Sequence, residues 1–202
     1  ISLCANISLK EIHNRYNSLL RIRQYEIALK RLFYKHRRRV HMTSDIQTKL
    51  DELGIKLDSA SVPAGNYVPV LVIHDMVYVS GQLPLIKGAI EVTGQVGSSV
   101  SIKDAQEQAR QCAVAILRQV STVSDSLKQV KRVVKLGGFV TSAPEFTEQP
   151  KVIDAASELM LALFADNGKH TRFAVGVSAL PLGAVVAIDA IFQLKSGKDS
   201  NR

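Results

Sequence analysis

Beyond its first forty residues, the spacing of apolar and polar positions divides the chain into short helical and extended segments. In "SDIQTKLDEL", Ile46, Leu50 and Leu53 recur at three- and four-residue spacing before Gly54, with Ser44 or Asp45 placed to cap. That spacing predicts a short amphipathic helix. "VPVLVIHDMVYVSGQLP" holds two β-rich runs around His74-Asp75, which predicts a hairpin with His74 in its exposed turn. From Ser101 the period becomes helical: Ala105, Ala109, Cys112 or Ala113, Ile116 and Val120 form one stripe, with Lys, Gln and Arg elsewhere. "VKRVVKLGGFVTS" returns to strand composition. "PKVIDAASELMLALFADNG" is a second long helix, its stripe including Val152, Ala156, Leu159 and Leu163. Two further β-runs, "RFAVGVSALP" and "GAVVAIDAIFQLK", meet at Pro181-Leu182-Gly183.

This order predicts an α+β fold in which both long helices cover one face of an at least partly antiparallel sheet. "AVVAIDAIF" carries apolar residues on both of its sides. The second face of the sheet is therefore expected to bury against other subunits of a homo-oligomer. No window approaches the roughly 18 uninterrupted apolar residues that a bilayer span requires, and no membrane partner is expected.

The charge divides the chain differently. Residues 1–41 hold ten Lys or Arg against Glu11 and Glu26, which accounts for the whole net charge of +8. Residues 42–202 are left with equal numbers of basic and acidic side chains. Two parts are expected: a basic extension, 1–41, and a body, 42–202, that opens at the first methionine, Met42. The extension suits a transit peptide, an upstream region translated with the frame, or an interaction arm. The body is expected in the cytoplasm, or in the mitochondrial matrix if the extension is a transit peptide. Phosphate binding scales with the number of phosphates neutralised, so a neutral body gives little reason to expect a nucleic-acid partner.

Candidate chemistry is sparse. The chain lacks a phosphate-binding Gly-Lys-Ser/Thr loop, a dinucleotide fingerprint, a His-Glu-x-x-His and any paired cysteine–histidine spacing, so neither metal nor cofactor is implied. "GQVGSSVS" is glycine-rich but has no lysine, and is expected to be a solvated loop. Cys112, set among alanines in a helical pattern, is expected to be a buried structural thiol. What remains is a polar set at strand ends: Tyr67, Ser80, Gly81, Gln82, Arg172 and Asp189. A guanidinium presents two parallel N–H donors that match a carboxylate, so Arg172 suits the anchoring of a small carboxylic acid. An internal acid such as Asp189, or a surface acid, would satisfy it equally well. Asp189 itself suits either a salt bridge or the orientation of a water.

Four segments, "GNYVPVLVIHDMVYVSGQLP", "TGQVGSSVSIKDAQEQARQC", "VKRVVKLGGFVTSAPEF" and "TRFAVGVSALPLGAVVAIDAIF", resemble in order and register the Rid/YjgF family. These are the reactive-intermediate imine deaminases, also labelled L-PSP endoribonucleases, and the resemblance covers about 44–195. It implies a chorismate-mutase-like α+β fold, a homotrimer with clefts at subunit interfaces, and hydrolysis of 2-imino acids to 2-keto acids and ammonia without metal or cofactor. By position in the motifs, Arg172 would bind the substrate carboxylate, with Ser80 and Gly81 completing the binding site. Tyr67 and Asp189 would carry the catalytic roles. Asp189 stands where the family commonly has glutamate, and Phe173 where a small residue is common. These departures imply an altered substrate preference. A carboxylic-acid-binding trimer without turnover, and an endoribonuclease, are the alternatives.

Overall fold

The computed structural model of the chain describes residues 46–58, 60–63 and 65–196. The basic extension 1–41 and the capping candidates Ser44 and Asp45 lie outside the described residues. Helix α1, Ile46–Glu52, is one short amphipathic element whose Leu50 is buried. Strands β1, Val70–Ile73, and β2, Met76–Gln82, form the hairpin predicted around His74, which is exposed in the turn with φ 56°. A small second hairpin pairs β3, Leu85–Ile86, with β4, Ala89–Ile90.

The segment "GQVGSSVS" is more ordered than a solvated loop. Gln95 O accepts from Ser98, Ser99 and Val100 N–H groups, and Val96 is buried and bonded to Thr141. It delivers the chain to Ser101, whose hydroxyl accepts from Asp104 N–H at 3.1 Å and caps helix α2, Ile102–Ser121. The predicted stripe of α2 is buried throughout, Cys112 included. The Cys112 thiol points at Val186 O, 3.6 Å away, and burial pushes its pKa far up, leaving it an inert core residue.

Strand β5, Val130–Thr141, leads to helix α3, Gln149–Phe164, which starts with proline in its first turn and buries Val152, Ile153, Ala156, Leu159, Met160 and Leu163. A 3-10 turn, Ala165–Gly168, returns the chain to β6, Thr171–Val177. A second 3-10 turn, Pro181–Gly183, precedes β7, Val186–Leu194.

The five long strands make one mixed sheet in the order β1-β2-β7-β5-β6. All its pairings are antiparallel except β5 with β6, which are parallel because α3 carries the chain back across the sheet between them. The two final β-runs are thus not neighbours: both flank β5. Both long helices lie on one face, against Val77, Val79, Leu136, Val140, Val186, Ile188 and Phe192. No helix among the described residues is long and apolar enough to cross a membrane.

The other face is bare and largely apolar. Leu71 is 49% exposed, Ile73 48%, Tyr78 41% and Val175 43%. Side chains alternate across a strand, so each of these projects away from the helices.

Candidate active site

The bare face is hollowed where β2 meets β7. The register advances from Val79 opposite Ala190 to Gln82 opposite Ile188, so Ser80 and Gly81 together face Asp189 across a β-bulge. The bulge turns Ser80 into the hollow, where its hydroxyl donates to Val68 O at 2.8 Å and its N–H to Pro69 O at 3.0 Å. Gln82, at the end of β2, is buried instead and donates to Ser80 O at 2.9 Å. The resulting hollow, about 380 Å³, is lined by Tyr67, Val68, Leu71, Tyr78, Ser80, Asp189 and Ile191 among others. Three of the sequence-derived site residues, Tyr67, Ser80 and Asp189, therefore meet in one place, with Gly81 in the adjoining backbone.

Asp189 carries the chemistry of this hollow. Its Oδ1 is buried and has no hydrogen-bond partner. Burial pushes its pKa above the usual carboxylate range, while the Lys135 charge and the backbone N–H groups of Asp189 and Gly137 pull it partly back. The carboxylate fits because Gly137, its partner on β5, has no side chain. A Cβ at Gly137 would collide with Asp189 Oδ1 and lie 2.7 Å from the Phe173 ring. Phe173 reaches this spot from β6, where it too is opposite Gly137, and packs edge-on against Phe139 with centroids 5.3 Å apart. Lys135 Nζ stands 5.2 Å from the centroid of the Phe173 ring.

Lys135, Gly137 and Tyr78 are parts of the site that sequence reasoning missed. The alternation in "VKLGGFV" puts Lys135, Gly137 and Phe139 on one face, but only the β5–β7 register shows that this face is Asp189's.

Arg172 lies elsewhere. It stands opposite Leu136, one residue out of step with Phe173, so its side chain projects toward the helices while Asp189 projects away from them. Its Nη2 pairs with Asp154 Oδ1 at 2.7 Å and its Nη1 donates to Ser157 Oγ at 2.9 Å, both on α3. Of the partners left open by the sequence, a surface acid holds Arg172 and Asp189 does not. Within one chain, then, Arg172 and the hollow are separate, with Arg172 on the edge strand β6 and Tyr67, Ser80 and Asp189 on the far side of β5.

The arrangement offers an ionisable carboxylate, a hydroxyl and a phenol around a space large enough for a small organic acid, beside an apolar surface able to exclude water. No group of three or more His, Cys, Asp or Glu among the described residues is arranged to hold a metal ion.

Comparison with known proteins places the whole described body in one group. A profile of the family described as "YjgF/chorismate_mutase-like, putative endoribonuclease" matches residues 47–194. Protein TCP17 of Trypanosoma cruzi is 43% identical over 152 residues, covering 75% of this chain and 95% of TCP17. A solved structure of a protein of unknown function from Agrobacterium tumefaciens shares 45% identity and superimposes with a TM-score of 0.68, over 75% of this chain and 94% of that one. A second, from Shewanella oneidensis, shares 24% identity and matches in fold with a TM-score of 0.72, over 75% and 100% of the two chains.

Proposed function

Since the chain belongs to the Rid/YjgF family, we propose that it is a hydrolytic deaminase, converting small 2-imino acids to 2-keto acids and ammonia in clefts between the subunits of a homotrimer. The observation that carries this reading is Asp189: its carboxylate lines an open hollow together with Tyr67 and Ser80, while one oxygen, Oδ1, lies buried over Gly137 without a partner. A carboxylate short of donors gains from a water bound on its hollow side, where an attacking nucleophile is needed.

The separation of Arg172 from Asp189 supports a site shared between subunits. The bare apolar face would be covered in the trimer, and the edge strand of one protomer would bring its Arg172 to the hollow of the next. The guanidinium holds the substrate carboxylate and turns the C=N carbon toward the water. A protonated imine is already electrophilic, so the water attacks once its proton has somewhere to go. Asp189 accepts that proton as the C–O bond forms and the C=N double bond becomes a C–N single bond. Asp189 then returns that proton to the nitrogen, and the tetrahedral carbinolamine collapses: the C–N bond breaks to release ammonia, the hydroxyl oxygen forms the C=O double bond, and its proton passes to solvent, leaving the 2-keto acid and an ionised Asp189. Tyr67 and the Ser80–Gly81 bulge supply hydrogen bonds that fix the substrate's orientation. Phe173, beside Asp189, narrows the cleft and disfavours bulky side chains on the imino acid.

The test is ammonia release from 2-iminopropanoate generated in place by an amino-acid dehydratase. Arg172→Ala is expected to lower kcat/KM about 30- to 1000-fold, equivalent to about 2–4 kcal/mol. Undiminished hydrolysis by that variant would remove Arg172 from the reaction. Binding of 2-keto acids with no ammonia release would make the protein a carboxylic-acid-binding trimer. The family description also names an endoribonuclease. That reading predicts RNA cleavage by protein beginning at Met42, without the basic extension.

A further inference from the structure

Arg172, the proposed anchor, already has its charge met inside its own chain, and the way it is met has a definite order. Asp154 and Ser157 are three residues apart on α3 and so lie on one helical face. His170, just ahead of β6, and Arg172, its second residue, are two apart and share one side. Ser157 Oγ is 3.0 Å from His170 Nε2, and His170 Nδ1 is 2.6 Å from Gly168 O. A carbonyl can only accept, so Nδ1 carries a proton, and in the neutral ring Nε2 is then bare and accepts from the Ser157 hydroxyl. The Ser157 oxygen is then free to accept from Arg172 Nη1. The bonds run one way, Arg172 to Ser157 to His170 to Gly168, and each polarises the next.

The other side of the guanidinium is held differently. Asp154 is 46% exposed against 27% for Arg172, and a half-exposed ion pair is weak enough for a competing carboxylate to displace. The Ser157 contact is to a neutral oxygen that a carboxylate ligand does not contest. We infer that Asp154 is a displaceable stand-in for the ligand carboxylate on Arg172, while Ser157 and His170 form the fixed half of the holder. This rests on the reading of Arg172 as carboxylate anchor. The two carboxylates repel one another, so ligand entry requires Asp154 to leave. The measured affinity is therefore lowered by the fraction of time Arg172 is unlatched. The device selects for small acids able to meet the guanidinium with both carboxylate oxygens, and keeps Arg172 from pairing with stray acids while the cleft is empty.

The test is calorimetric binding of 2-oxopropanoate, a stable 2-keto acid, to the assembled full chain, which reads the latch without turnover. Asp154→Asn is expected to bind about tenfold more tightly, as when the free guanidinium is populated about one-tenth of the time. Ser157→Ala, which loosens the fixed half, is expected to bind about three- to tenfold more weakly. Glu91→Gln, exposed just after β4 and on neither α3 nor β6, removes the same charge elsewhere on the surface and is expected to change affinity less than about twofold. Unchanged or weaker binding by Asp154→Asn would overturn the latch, as would an equal gain from Glu91→Gln. Unchanged binding by Ser157→Ala would overturn the fixed half. If wild type does not bind, or Arg172→Ala binds as wild type does, the anchor reading itself fails. Lost binding in Arg172→Ala with no gain in Asp154→Asn counts against the latch alone.

Discussion

At Asp189 the fold tolerates a carboxylate that it does not need. Burial raises its pKa, chiefly by desolvating the charged form, so the folded state binds its proton more tightly than the unfolded chain does. The associated stability is fully present below the unfolded-state pKa and is lost as pH rises through the folded-state one. Asp189→Asn is accordingly expected to melt at a higher temperature than wild type at neutral pH, with the gap closing as pH falls into the carboxylate range. The same variant is expected to lose about 100-fold or more in kcat/KM, the usual scale for a general base. Scanning calorimetry and the ammonia assay on one preparation check both. In wild type, the proposed proton acceptor must be ionised, so activity is expected to fall with acid along a limb above the ordinary carboxylate pKa. A pH profile of kcat/KM without that limb would count against Asp189 as base. Gly137 is the necessary complement. Gly137→Ala pushes a methyl group into Asp189 and the Phe173 ring, and is expected to cost about 1–3 kcal/mol in urea unfolding. Tyr67, Ser80 and Asp189 were legible in the sequence as polar residues within apolar runs, but not at the strand ends expected of them: Asp189 lies inside β7, Ser80 inside β2, and Tyr67 ahead of β1. The need for glycine at 137 was not legible, because it arises only when β6 and β7 bring their side chains to the two sides of β5.

The elements themselves were legible where a period could be counted. The α2 stripe of Ala105, Ala109, Cys112, Ile116 and Val120 is buried as its spacing predicts. The Ser101 cap is equally local, and Ser101→Ala is expected to cost about 1 kcal/mol in chemical denaturation. The sheet was less legible. Period-2 alternation shows that Arg172 and Phe173 point to opposite faces, but not which of them shares a face with Asp189. That depends on β5 lying between β6 and β7 with Gly137 opposite both Phe173 and Asp189, pairings set by residues dozens of positions apart. The bulge at Ser80–Gly81 is similar. Its glycine is visible in the sequence, while its function of aiming two residues at Asp189 depends on the β7 partner.

For the whole molecule, the consequence is that Arg172 and the Asp189 hollow do not meet within one chain, and the proposed site needs a second subunit. An apolar sheet face this open is expected to be covered in solution. A charge placed on it, Ile73→Glu or Val175→Glu, is expected to shift sedimentation from the proposed trimer toward monomer and to abolish the proposed deamination, with the helix content of the far-ultraviolet spectrum retained. The most direct measurement of a shared site is subunit mixing. Arg172→Ala and Asp189→Asn proteins, each expected to keep at most a few per cent of activity alone, are unfolded together in equal amounts and refolded. If Arg172 of one protomer completes the Asp189 hollow of the next, every mixed trimer contains one intact site, and the mixture recovers about one quarter of wild-type ammonia release. If both residues serve a site within a single chain, no trimer contains an intact pair, and the mixture remains as inactive as its two components.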